Sequence, residues 1–272
     1  MTATSTLVVP GDTARRGARS QQGVSISRVL ALRWSAVVVL VLLWEVLVDV
    51  FAPTSSFFAS PSAIVTEGLS VFLEPAVQAG LLATAQRFLI AFAISAFVGV
   101  TLGLILGRLR VAPVARNVAV VLYAIPQVAL YPLFVIWFGL GQNAEIAFGV
   151  SHGLIPVTLG TLTAATQVDR ELVTASRAMG GGRFRLTLFV ILPSCLPDVI
   201  GSLRLGASLS LLGVLLGQLL MSIDGVGALL AVLSGTLQPA RLNALILGIA
   251  LAAVLMNVLI SGLQRLLVRS RE

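Results

Sequence analysis

Long stretches without a single charge constrain this chain more than any other feature. Twenty uncharged residues lie between Arg87 and Arg108, 23 between Glu145 and Asp169, 19 between Arg204 and Asp224, and 23 between Arg241 and Arg265. A helix of about 20 apolar residues crosses the ~30 Å hydrocarbon core of a bilayer, so each window is long enough to span. A further span is "RWSAVVVLVLLWEVLVDVF" from Arg33, with Glu45 and Asp49 toward one end. Residues 117–144 are also uncharged, but Pro126 and Pro132 interrupt them. That pattern predicts one broken helix rather than two full crossings. The chain is read as an all-α membrane protein with six transmembrane helices.

Composition agrees and narrows the function classes. Charged residues make up 11% of the chain and hydrophobic ones 57%, whereas soluble domains carry about 25% charge. The 272 residues leave no room for a fused soluble catalytic domain. A single Cys195 excludes an intrachain disulfide, and a lone His152 excludes a multi-histidine or Cys/His metal site. All 18 basic residues are arginines, so no Gly-x4-Gly-Lys-Ser/Thr phosphate loop exists and the chain has no ATP site of that kind. A pI near 11.3 fits a nucleic-acid binder, but in a membrane protein the positions of the arginines report topology, and no nucleic-acid partner is expected.

The arginines sort by side. Arg15, Arg16, Arg19, Arg28 and Arg33 precede the first span; Arg108, Arg110 and Arg116 follow the second; Arg170, Arg177, Arg183 and Arg185 follow the fourth; Arg265, Arg269 and Arg271 follow the sixth. The opposite connections hold only Arg87 and Arg241, read as span edges, and Arg204 is read as the inner boundary of the fifth span. The positive-inside rule then places both termini in the cytoplasm. The expected organisation is a cytoplasmic tail over 1–27, a first transmembrane helix over 28–52 and an extracytoplasmic loop over 53–80. A core over 81–268 follows, with a cytoplasmic loop at 167–194, and a tail over 269–272. Within the outer loop, Ser60-Pro61 predicts the start of a short helix.

The cytoplasmic stretch "DRELVTASRAMGGGRFRLTLFVILPSCLPD" (169–198) is the most informative segment. Asp169 is a good N-cap, Glu171 falls in the first turn, and Gly180 to Gly182 form a stop. Leu172, Ala175, Ser176 and Met179 recur at helical spacing, predicting a helix of about 11 residues, roughly 16 Å long. It is too short to span and too apolar for water, so it lies on headgroups or enters a groove in a partner.

The segment resembles the cytoplasmic loop of ABC importer permeases, whose pattern is Glu-Ala-Ala, three residues, Gly, nine residues, Ile, one residue, Leu-Pro. Here the positions read Thr174-Ala175-Ser176, Gly180, Val190, Leu192 and Pro193. "YAIPQVALYPLFVIWFGLG" (123–141), "LPDVIGSLRLG" (196–206) and "GVGALL" (225–230) are similar to the nitrate/sulfonate/taurine branch. The likeness runs from about Ala79 to Val268. Two positions depart from the pattern: Thr174 stands where the family has Glu, with Glu171 one turn earlier, and Gln218 stands for a Glu late in the fifth span.

The resemblance implies a type I permease fold in a bacterial inner membrane. It implies a pathway built by a homodimer or a pair of permeases, two cytoplasmic ABC ATPases that hold ATP and Mg, and an extracytoplasmic solute-binding protein. The chain itself is then no enzyme and binds no cofactor or metal. Glu171, Leu172, Thr174, Ala175, Ser176, Met179, Gly180, Leu192 and Pro193 are the implied ATPase-coupling residues. With Thr174 lacking charge, docking is expected to rest on shape and packing. Candidate pathway groups are Gln127, Tyr131, Gln142, Asn143, Gln218 and Met221, for a small solute such as a sulfonate, taurine, nitrate or an organic acid. An ion-coupled secondary transporter is the alternative, but it needs an acid or base near the midplane. Glu145, Asp49 and Asp198 lie near span ends, and His152 is better read as packed or hydrogen-bonded. Gly99, Gly103 and Gly107 form a small-residue face, suited to packing within the subunit or between subunits.

Overall fold

The computed structural model describes residues 26–51, 58–109 and 111–269, and no strand occurs among them. Residues 1–25 and 270–272 of the expected tails, residue 52 of the expected first helix, 53–57 of the expected outer loop, and Arg110 lie outside the described residues. Five helices are long and apolar enough to cross a membrane, and a bent helix pair makes a sixth.

Helix α1 (Ile26–Phe51) leaves nearly every side chain from Trp34 onward exposed. Its attachment is polar: the Glu45 carboxylate accepts from the Ser62 N–H at 3.0 Å and from the Ser62 hydroxyl. Helix α2 (Pro61–Val71) starts where Ser60-Pro61 predicts, with the Ser60 hydroxyl accepting from the Ala63 N–H at 3.4 Å. Helix α3 (Pro75–Gly107) begins inside the segment expected to be loop up to residue 80, because Pro75 suits the first helical turn.

The broken third span is α4 (Ala112–Ala124), a 3₁₀ turn over Gln127–Leu130, and α5 (Tyr131–Phe138), bent by 77°. One proline makes the break. Ile125 precedes Pro126 and is driven to extended backbone (ψ 132°), as a pre-proline residue is. Pro132 falls in the first turn of α5, where its missing N–H costs nothing.

Helix α6 (Gln142–Thr166) returns to the other side, followed by α7 (Arg170–Ala178) and α8 (Arg183–Leu186). From α8 the chain continues through a π turn (Thr187–Ile191) into α9 (Leu192–Met221), so Phe184–Met221 is one 38-residue helical segment. Pro193 thus follows a π turn inside a continuous helical segment. Pro193 cannot donate to the carbonyl four residues back, and a widened turn before it relieves the ring clash. Arg204, expected at the inner boundary, lies well inside α9, two residues past Ser202, which meets Thr161 of α6. Helices α10 (Val226–Gly235) and α11 (Pro239–Arg269) complete the chain.

Small residues let α3, α6 and α9 approach almost backbone to backbone. A Cβ on Gly99 would lie 2.8 Å from a Val157 methyl, one on Gly103 2.5 Å from the Thr161 Cβ, and one on Gly107 2.9 Å from the Ala165 Cβ. The glycine face of α3 thus packs on α6 within the subunit. Gly149 and Gly153 of α6 and Gly206 and Gly213 of α9 continue the contact on the other side. At the centre, Ser95 is fully buried and its hydroxyl bonds to the Ala91 carbonyl at 2.8 Å and the Val150 carbonyl at 3.2 Å. Within a membrane such packing, rather than expulsion of water, holds helices together.

Candidate functional site

Helix α7 is stapled to the ends of the three core helices. Val173 packs on a buried cluster that includes Leu104 of α3, Ala164 and Ala165 of α6, and Leu186, Ile191, Cys195 and Val199 of the α8–α9 segment. Asp169 caps the helix by accepting from the Glu171 N–H at 2.8 Å. Gly180, at φ 77°, closes it: the Gly181 N–H donates to the Ser176 carbonyl at 2.9 Å and the Gly180 N–H to the Arg177 carbonyl at 3.0 Å. Those two bonds form a Schellman motif, which needs a left-handed residue at that position. The helix is 9 residues long, shorter than the 11 expected because Met179 already serves as the C-cap.

The face assignments differ from the expected stripe at one position. Leu172, Ala175 and Met179 are exposed, Met179 at 82%, and Glu171 and Thr174 are exposed beside them. Ser176 is buried against its own chain, beside Gly181, where its carbonyl closes the cap. Ser176 therefore holds the loop's shape instead of facing a partner. The Thr174 hydroxyl donates to the Arg170 carbonyl at 2.8 Å, so it is turned back on the helix. Leu192 packs on the same buried cluster, and Pro193 follows it in the first turn of α9. Arg108, at the end of α3, bonds to the Thr187 hydroxyl in the π turn.

A polar seam occupies the opposite end of the bundle, and linear reading missed it. Arg87 of α3 is buried, donating from Nη1 to Glu145 Oε2 at 2.7 Å and from Nη2 to Asp224 Oδ2 at 2.6 Å. The Ser222 hydroxyl donates to Glu145 Oε1 at 2.8 Å. Deeper in the seam, the Val226 N–H donates to the Thr84 hydroxyl at 2.9 Å, which donates to Gln218 Oε1 at 2.8 Å. The Gly227 N–H donates to the same Oε1 at 3.1 Å. Two side chains from other helices thereby satisfy the orphan N–H groups at the start of α10. The hydrogen bond from Arg87 holds the Asp224 carboxyl below the usual carboxylate range. A signal for the seam was present: Arg87, Glu145 and Asp224 each bound a charge-free window on the same side.

The six expected pathway residues do not meet in one cavity. Gln218 is fully buried in the seam and Tyr131 is buried beside Phe148, with ring centroids 4.8 Å apart. Asn143 lines an apolar groove of about 480 Å³ between α3, α5 and α6, whereas Gln127 is outside its lining and accepts from the Ser151 hydroxyl at 3.4 Å. Gln142 and Met221 are exposed at the seam end. His152 is packed as expected, its Nδ1 3.0 Å from the Phe148 carbonyl. Arg241 pairs with Glu74 at the span edge, whereas Arg87 is drawn inside.

Known proteins resemble this chain in sequence and in fold. Residues 99–272 match the family model described as the inner membrane component of binding-protein-dependent transport systems. The riboflavin transport system permease protein of Chloroflexus aurantiacus is 31% identical over 146 residues, 54% of each chain. The taurine transport system permease protein of Escherichia coli is 25% identical over 249 residues, 88% of this chain and 90% of that one. This chain thus spans about half the length of the first relative and nearly all of the second. Among solved structures, the inward-facing MetNI methionine ABC transporter has a TM-score of 0.60 at 18% identity, covering 69% of this chain and 94% of that one, a likeness of fold. With more than half of its length matched by the family model, the chain belongs to the inner membrane permease components of binding-protein-dependent transport systems.

Proposed function

We propose that the chain is one of two paired permease subunits in an ABC importer that moves a small anionic solute into the cell. Two cytoplasmic ATPases hold ATP and Mg and do the hydrolysis, and an extracytoplasmic binding protein delivers the solute. The observation that carries this reading is the exposed Leu172, Ala175 and Met179 face of α7, backed by Val173 in the cluster that joins α3, α6 and α9. A partner gripping that face pushes on all three core helices at once, so closure of the ATPases becomes a rigid-body motion of the bundle. Gly180 and Ser176 set the shape of the gripped element, and Leu192 and Pro193 pass the displacement into α9. The arginines at the α7 end, Arg108, Arg116, Arg170, Arg177 and Arg185 among them, support a cytoplasmic placement of that end and of both termini.

The glycine-packed core supports pairing. With Gly103 against Thr161 and Gly213 against His152 and Gly149, α3, α6 and α9 are closely packed at these contacts, which supports a pathway completed by a second subunit. Relatives named for taurine, aliphatic sulfonates and nitrate support an acidic solute.

Leu172→Glu with Met179→Glu tests the coupling face. Each removes an apolar anchor of the kind that is worth about 1–2 kcal/mol or more at an interface centre. The variant is expected to insert normally and to lose copurification with the ATPase and ATP-driven uptake. Undiminished association sinks the reading, as does transport by the purified chain alone on an ion gradient without ATP.

A further inference from the structure

We propose that Arg87 and Asp224 form a releasable latch at the α10 end, and that Tyr131 takes the place of Ser222 on Glu145 when the latch opens. The link between α9 and α10 is short, and its polar contacts converge on the Arg87–Glu145 pair: Ser222 on Glu145, Asp224 on Arg87. The two acids are unlike. Glu145 is fully buried, while the Asp224 side chain is 56% exposed.

Charge counting shows why Asp224 is the member that leaves. Closed, the cluster sets two carboxylates against one guanidinium. When Asp224 swings into water, Arg87 keeps Glu145, and the buried remainder is a neutral pair with no orphaned charge. Half-hydrated already, Asp224 recovers most of its solvation on leaving.

Departure of the link also takes Ser222 from Glu145, and a replacement donor stands ready. The Tyr131 hydroxyl is buried without a hydrogen-bond partner among the described residues. It converges with Glu145 over one spot, since a Cβ on Gly217 would lie 3.4 Å from both the Tyr131 hydroxyl and the Glu145 Cγ. A buried donor that lacks a partner in one state and gains one in the other is how a two-state element is balanced.

Packing fixes the link only at its α10 end, where Gly80 of α3 lies so close to Gly225 and Leu229 that an added Cβ would fall 3.3 Å from the Gly225 carbonyl carbon and 2.9 Å from Leu229 Cδ1. Beside that contact, Ile223 and Asp224 border a crevice of about 270 Å³ whose α3 wall is Ala76, Ala79, Gly80 and Ala83. Those side chains are too small to fill it, so at Asp224 the polar contacts set the position of the link. Thr84 and Gln218 still grip the first turn of α10 and serve as its pivot, with left-handed Gly225 (φ 89°) beside them. The proposal rests on the permease reading only in tying release to the transport cycle.

A spin label at Ile223→Cys reports the latch directly in the full chain in nanodiscs, with the buried Cys195 replaced by Ala. Ile223 is 99% exposed and next to Asp224, so labelling disturbs no packing. Asp224→Ala is expected to narrow the line shape further, by the backbone motion that the latch suppresses, and Asp224→Glu to stay close to the parent spectrum. An unchanged spectrum in Asp224→Ala overturns the latch. Tyr131→Phe is expected to leave the resting spectrum unchanged and slow ATP-driven uptake about tenfold, the scale of one hydrogen bond to a charged group. Wild-type uptake in Tyr131→Phe overturns the exchange. Absence of uptake by the wild type counts against the importer reading, and the spectra then decide the latch alone.

Discussion

Gln218 does for α10 what a capping side chain does from within a helix. Its Oε1 accepts from the Gly227 N–H and the Thr84 hydroxyl while Thr84 accepts from the Val226 N–H, so one acceptor organises two buried donors. Gln218→Ala is expected to lower stability by about 1–3 kcal/mol, the cost of leaving buried donors unmade, read as a drop in the thermal midpoint in detergent. Replacing both partners, Thr84→Val with Gln218→Leu, should cost less than the sum of the single changes, because neither side chain then keeps an unmatched polar group, while the Val226 and Gly227 N–H groups still lose their acceptors. From the sequence Gln218 stands out only as a departure from a family pattern. Its partners lie on another helix 134 positions away, and in the short segment beyond α9. Arg87, Glu145 and Asp224 are likewise legible as the places where charge-free windows stop. What the linear order hides is that they stop at one level and meet, across separations of 58 and 137 residues. The α7 cap was readable in full, because Asp169 and Gly180 act on backbone within a few residues of themselves.

At the scale of elements, the bundle depends on residues chosen for what they lack. Gly206 packs under Val157, and an added Cβ there meets chiefly one Val157 methyl, with the next atoms at 3.3 Å or beyond. Gly206→Ala is expected to destabilise by about 1–3 kcal/mol through overpacking. Val157→Ala, by removing that methyl, should recover much of the loss in the double variant; a double variant no better than Gly206→Ala contradicts the contact. The glycine spacing on α3 was visible in the sequence, but spacing alone fits contact with any neighbouring helix. Only the partner surface, with Val157, Thr161 and Ala165 one turn apart on α6, distinguishes packing inside the subunit from packing between subunits. The π turn before Pro193 was not legible for a related reason, since a proline marks where a helix is disturbed without saying whether the chain breaks or widens.

Across the whole molecule, α7 and the α9–α10 link lie at opposite ends of the bundle, so a chain that crosses six times is expected to present them on opposite faces of the membrane. Single cysteines at Arg177 and Ile223, in a chain lacking Cys195, are expected to react with an impermeant maleimide from opposite sides of sealed vesicles. Reaction of both from one side refutes the six-crossing arrangement. Between those ends α3, α6 and α9 are packed as one piece, with backbones too close for one to slide past the side chains of the next.

Helix α1 stands outside that core, with nearly every described side chain from Trp34 onward exposed, and holds α2 through Glu45 and Ser62. Five arginines precede its apolar run, and such an asymmetry biases the direction in which a span inserts. Because α2 is moored to Glu45, a bias acting on α1 is carried by side-chain hydrogen bonds to the element that leads into α3.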